Sequence, residues 1–537
     1  DGEMAIDQLI EDGDNYYYVD INGVMASNQW VAIENEDAGE DDEPEHYWYY
    51  FQANGKALTN GDNDKVSLKT INGKKYAFDD EGKMLYGWVD EDSAERVDDT
   101  DSDGFKEGVY YFGGEDDGAM TTGWLQLDIT YDEATNDDYK YTAAAFNDDE
   151  DQTRWFYFKS NGKKIFAEDG DRTKDKTING KKYAFDQYGA MVAEWSLDEG
   201  DLGTSPNAFT SNVASSAEVV TGKAFDSKYT ESWKYFNSVE DGARVSKGWF
   251  KVVPAEYLNE DKYNDDEDFW YYADGSGNLY AGEFKTIKGK KYAFRDDGRM
   301  LNGLKFIKED ADNQSLSVYA DDDGTYNFDN EDDFLDHAAE FYEPNGYKCF
   351  YFGDGDDGAM RTNKTTVEID GENHNFYFEK SGGRKGAGVT GEEDDKLYQS
   401  GMLLKADSDD KYIVVEKTSH YEGDKVKYTT YRKLDDAKEF MNADGVQVKD
   451  ELDGKNGNDA VNIGNGNTKK AEDLSEAYSI TYKDKDAKGD KKEYILVNTS
   501  GKIVDGKGKN KDGSDYYYVT EKKANGENSI VAIYVED

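Results

Sequence analysis

Short aromatic runs alternate with polar turns along this chain, and one such stretch is written three times. Thr70–Trp88 reads TINGKKYAFDDEGKMLYGW; it returns as TINGKKYAFDQYGAMVAEW at Thr177–Trp195 and as TIKGKKYAFRDDGRMLNGL at Thr286–Leu304. Each copy holds an aromatic strand (KKYAF), a polar turn closing on Gly82, Gly189 or Gly298, and an apolar return starting at Met84, Met191 or Met300. Alternating Tyr and Phe suit a pleated, half-buried surface, and the glycine supplies the positive-φ turn position, so each copy predicts a β-hairpin. One hairpin of this size is marginal in water, and its repetition therefore implies stacking on neighbours.

Further hairpins surround these copies in a fixed order. NYYYVDINGVMASNQW ends at Trp30, and HYWYYFQANGKAL places Trp48 at a strand head before the first TINGKKYAF. GVYYFGGEDDGAMTTGW, Gly108–Trp124, follows it. The order recurs from Trp155 and again from Trp270, which gives three blocks with a period of about 110 residues over residues 1–365. Acidic insertions, such as Asp90–Lys106, Asp128–Asp151 and Lys308–Gly346, separate the hairpins and read as surface loops. One of them predicts a short helix over Asn330–Tyr342, with Phe334, Ala338 and Phe341 on one face. Residues 366–537 keep β-like alternation in a more divergent form. The expected fold is all-β: an elongated solenoid of stacked β-hairpins with acidic loop insertions.

Composition supports thin layers over one large core. Hydrophobic residues are 36% of the chain, yet aromatics are 14% and tyrosine occurs 42 times. A chain poor in aliphatics and rich in rings must bury ring faces in many shallow junctions. Lys+Arg 63 against Asp+Glu 118 gives a net charge of −55, which repels nucleic acid and anionic membranes. No run approaches the length of a transmembrane helix, so membrane insertion is not expected. Cys349, the sole cysteine, lies in an apolar strand and reads as a buried, inert thiol. The chain opens at Asp1, which suggests a processed product.

The units G-x-M-x-T-G-W and W-x-Y-F-x-x-x-G, alternating about every 20 residues, resemble the cell-wall-binding repeats of Gram-positive surface proteins. Choline-binding proteins, streptococcal glucan-binding proteins and the repetitive regions of clostridial toxins share them. The resemblance implies a hairpin solenoid, an extracellular or wall-associated location, and attachment to cell-wall polymer or glucan at the junctions of successive hairpins. It also implies sites built as boxes of rings: one from the GW position, two from the following strand, another from the next repeat. All nine tryptophans occupy repeat positions. The expected binding rings are Trp30 with Trp48 and Tyr49, Trp249 with Trp270 and Tyr271, and Trp124 with Trp155. Ring faces attract quaternary ammonium groups and stack on sugars. The same rings serve equally well as inter-hairpin core, and both readings stand at this point. Lysine replaces the strand-head tryptophan in all three KKYAF units, so complete boxes are few.

Other chemistry is sparse. Asp99, Asp101 and Asp103 with Gly104 match half of a calcium loop, and Glu107 takes its ninth position; Tyr110 stands where the closing acid belongs. Ca²⁺ is the candidate ion there. The four histidines lack metal-ligand spacing, and no nucleophile elbow, zincin motif or phosphate loop occurs, so the chain reads as non-enzymatic. A different class also fits: similar motifs at both ends (NYYYV, DYYYV) could let copies self-associate end to end into a fibre or layer, with Ca²⁺ as a possible trigger.

Overall fold

In the computed structural model the described residues are all except 1, 41–42, 99–101, 131–151, 169–170, 172, 198–229, 232, 256–257, 311–314, 320–327, 342, 487, 525 and 527. They are mostly β-strand, with few and short helices. The chain divides into two compact units, Asp1–Tyr263 with Tyr272–Leu279 and Asn264–Tyr271 with Tyr280–Asp537.

The first unit is a succession of two-stranded antiparallel sheets. Their pairing differs from the expectation in one respect. Lys69–Ile71 pairs with Lys74–Tyr76 across Asn72-Gly73, both at positive φ. Lys174–Ile178 pairs with Lys181–Phe185 across Asn179-Gly180 in the same way. Asn-Gly is the preferred two-residue hairpin turn because its twist matches that of the strands. The ladder therefore forms before KKYAF rather than after it. The glycine turns expected to close the hairpins are connectors instead, and each closes on a single bridge, such as Phe78↔Met84 or Phe185↔Met191. An aspartate starts many of these connectors. Asp79 Oδ1 accepts from the amides of Glu81 and Lys83, and Asp186 Oδ1 from those of Tyr188 and Ala190.

Consecutive hairpins are joined by one recurring backbone hydrogen bond. The return residue donates its N–H to the strand-head carbonyl of the previous hairpin: Ala57 to Tyr16, Met84 to Trp48, Met120 to Lys75, Lys164 to Val109 and Met191 to Trp155, at 2.8–2.9 Å. The return side chain then lies on the turn glycine of the next hairpin. A Cβ on Gly118 would meet Met84, and one on Gly242 would meet Met191. Stacking thus fixes those glycines twice, through positive φ and through close approach.

The second unit starts with the same device. Glu283–Ile287 pairs with Lys290–Phe294, and Met300 N–H bonds to the Trp270 carbonyl. Beyond Asn363 the sheets widen. One five-stranded sheet contains Asn363–Ile369 and Glu372–Phe378; another places Asn528–Glu536 between Leu474–Tyr482 and Tyr517–Lys522. Their cores are aliphatic as well as aromatic, around Val415, Leu404, Leu496 and Ile533. The predicted helix spans Glu331–Phe341 and buries Phe334 and Ala338; Asn330 caps it by accepting from the Asp333 amide at 2.8 Å. Cys349 is buried with no disulfide, and burial pushes its thiol well above the usual cysteine value. Among the described residues no helix is long and apolar enough to cross a membrane.

Candidate functional site

Two aromatic boxes of matching composition occur in the first unit. Antiparallel register sets one tryptophan opposite a tyrosine: Trp30↔Tyr50 in one hairpin and Trp124↔Tyr157 in another. The next hairpin adds a second tyrosine. Trp30 meets Tyr50 at 5.2 Å and Tyr76 at 4.9 Å, both edge-on, and stacks on Phe78 at 5.8 Å. Trp124 meets Tyr157 at 5.1 Å, Tyr183 at 4.9 Å and Phe185 at 5.8 Å. The strand-head tryptophans complete the walls. Trp48 packs on the cluster of Ile71, Tyr76, Phe78 and Met84, and Trp155 lies 6.3 Å from Trp124, edge-on. Trp30, Trp48, Tyr50, Trp124, Trp155 and Tyr157 are all half-buried, so each box keeps ring surface open to solvent. Such edge-to-face pairs are worth roughly 0.5–1.5 kcal/mol each beyond their area.

A carboxylate from the hairpin after that closes one side of each box. Asp116 accepts from Trp48 Nε1 at 3.0 Å and faces His46 Nε2 at the same distance. Glu240 accepts from Trp155 Nε1 at 3.2 Å and from Gln126 Nε2 at 3.4 Å. The Trp48 and His46 hydrogen bonds hold the Asp116 carboxyl below the usual aspartate range. Neighbouring ion pairs repeat as well, Lys74–Asp117 at 3.9 Å and Lys181–Asp241 at 3.8 Å.

The expected site residues fall as follows. Trp30 and Trp48 share one box, and Trp124 and Trp155 share the other. Tyr49 is 4% exposed and stacks on Phe51 on the opposite face of its strand; the ring beside Trp30 is Tyr50, one residue on. Trp249 belongs to the first unit, where it meets Tyr272 edge-on at 5.1 Å. Trp270 and Tyr271 belong to the second, and Tyr271 is fully buried. Tyr76, Tyr183, Asp116 and Glu240 were not singled out from sequence. Their signal was the block order: Asp116-Asp117-Gly118 and Glu240-Asp241-Gly242 hold the same place in the third hairpin of successive blocks.

Asp99 and Asp101 lie outside the described residues. Asp103 and Glu107 are described, and among the described residues no group of three or more potential metal ligands is assembled.

A third junction, at Trp88, has the same register, Trp88↔Tyr111, but different surroundings. Trp88 is 4% exposed and packs against Phe156 at 5.2 Å and Phe158 at 5.9 Å. Lys164 stands where the other boxes have methionine; its ammonium lies 5.2 Å from the Trp88 ring and donates to the Phe105 carbonyl. Burial pushes Lys164 well below the usual lysine value and Asp186 well above the usual carboxylate value, and the attraction between the two charges opposes both shifts.

No family model matches the chain. Among curated proteins it is similar to Glucosyltransferase-S of Streptococcus mutans serotype c, 25% identical over 285 residues, which cover 48% of this chain and 16% of that protein. Among solved structures it is similar to choline binding protein F from Streptococcus pneumoniae, at 15% identity, 74% of this chain, 98% of that one and a TM-score of 0.22. The modular autolysin LytC from the same organism gives 15% identity, 76% and 54% coverage and a TM-score of 0.23. The choline-binding domain of CbpL gives 17% identity, 54% and 95% coverage and a TM-score of 0.27. The chain spans about a sixth of the curated relative it matches.

Proposed function

We propose that this chain is a non-catalytic, extracellular attachment module, a solenoid of hairpins that holds cell-wall polymer or glucan in aromatic grooves. The observation that carries this reading is the recurrence of one half-buried box, two tryptophans, two tyrosines and an indole-bound carboxylate, at Trp30–Tyr76 and at Trp124–Tyr183. Rings needed only for packing would gain most from complete burial, yet the tryptophans of both boxes keep open surface. Each box offers flat faces to a sugar ring or an alkylammonium group, and its carboxylate offers an acceptor to a hydroxyl or a counter-charge to a cation. The sequence similarity to a glucosyltransferase supports the sugar class.

The test is retention of the purified protein on Gram-positive cell walls and on dextran, with choline chloride as competitor. Trp124→Ala with Trp155→Ala is expected to weaken retention several-fold and to reduce the ligand-induced change in tryptophan fluorescence to the share of the Trp30 box. Undiminished retention of that double variant would refute the reading.

A further inference from the structure

The Trp88 junction is the same box, filled by the protein itself. Three correspondences make the equivalence position by position. Trp88 faces Tyr111 in the register in which Trp30 faces Tyr50 and Trp124 faces Tyr157. Lys164 N–H donates to the Val109 carbonyl, as Met84 donates to Trp48 and Met191 to Trp155. Phe156 and Phe158 take the places of Tyr76 and Phe78 around the tryptophan ring.

Two changes close it. The strand head is Val109, smaller than the tryptophan at 48 and 155. Phe105, carried on the acidic insertion, fills the junction: it is 1% exposed, 5.8 Å from Phe156 and 6.0 Å from Tyr188. The backbone on both sides of that ring is folded into turns, since Lys106 N–H donates to the Asp103 carbonyl and Gly108 N–H to that of Gly104. Lys164, 3% exposed, then lays its ammonium against Trp88 and ties it to the Phe105 carbonyl. A buried ammonium without partners would be costly, and the ring face, the carbonyl and the attraction of Asp186 together offset that cost.

We infer that Phe105 and Lys164 are an internal occupant of the Trp88 box, and that these two residues keep this junction of the first unit from taking an external ligand. The inference rests on the functional reading above for its ligand, but its geometric half stands alone. Insertions between hairpins thereby acquire a role: one that delivers a ring into a junction silences it.

The experiment has a ligand-free arm and a ligand arm. In hydroxyl-radical footprinting with mass spectrometry, Trp88 is expected to be strongly protected while Trp30 and Trp124 are modified. Phe105→Ala with Lys164→Met should raise Trp88 modification to the level of Trp30. Lys164→Met alone restores the residue found at positions 84 and 191 and serves if the double variant does not fold; it should give a smaller rise. Titration with choline chloride, and separately with dextran oligosaccharide, should then show one more equivalent bound by the double variant than by the parent chain. Trp88 modified as readily as Trp30 in the parent overturns the inference. So does an unchanged stoichiometry in a double variant whose Trp88 has become accessible. A parent chain that binds neither probe, with the footprint as expected, refutes the functional reading and leaves the internal occupant established.

Discussion

Gly118→Ala tests the packing that links one hairpin to the next. Gly118 has φ +56, a conformation that costs an L-residue about 1–2 kcal/mol. Its new Cβ would also lie 2.9 Å from Met84 Cγ and closer still to the sulfur. Met84 has little room to yield, being 4% exposed and packed with Tyr76 and Phe78, so overpacking adds roughly 1–3 kcal/mol. The expected total is about 2–5 kcal/mol. Eight of the nine tryptophans lie in the first unit, so the urea transition followed by tryptophan fluorescence reports mainly on that unit. Gly114→Ala, in the same turn with nothing within 4 Å of its Cβ, is the control and should shift the transition by less than about 0.5 kcal/mol. In a Met84→Ala background the clash is gone, and Gly118→Ala should cost only its conformational share. A cost equal to the control, or one that Met84→Ala leaves unchanged, would refute the argument.

Other expectations follow from the same contacts. Burial raises Asp79 to about 6, against the opposing amide hydrogen bonds. A carboxyl raised in the folded state contributes stability that is complete below the unfolded value near 3.8 and is lost as pH rises through 6. Asp79→Asn keeps the Oδ1 acceptor, as Asn498 does for Ser500 and Lys502, and should gain roughly 1–2 kcal/mol on the parent above pH 6 and nothing at pH 4, read by urea denaturation at both pH values. Lys288 occupies, at φ +49, the turn position that Asn72 and Asn179 hold in the other copies, so Lys288→Asn should stabilise by about 0.5–1 kcal/mol in thermal unfolding followed by circular dichroism. Asp116→Ala removes the acceptor of Trp48 Nε1, and because Asp116 is exposed the expected effect is on ligand retention rather than on the unfolding midpoint.

Much of this protein was legible in its sequence. Tyr and Phe alternation gave the strands, the three TI-x-G-KKYAF copies gave the block order, and the tryptophan positions gave the junctions where boxes form. These are local properties: a period of two and a glycine at positive φ need no knowledge of distant chain. Three things needed the tertiary structure. Alternation sets Tyr50 on the face of Trp48 and Tyr49 on the other without saying which face meets the next hairpin; stacking buried Tyr49 and left Tyr50 beside Trp30. Each TI-x-G-KKYAF copy contains two turns, and only the twist of the paired strands made Asn72-Gly73 the hairpin and the Gly82 turn the connector. Finally, Lys164 and Phe105 look in sequence like a charged return residue and a stray ring in an acidic loop. Their meeting over Trp88 brings together segments 59 residues apart, a distance that no local pattern spans.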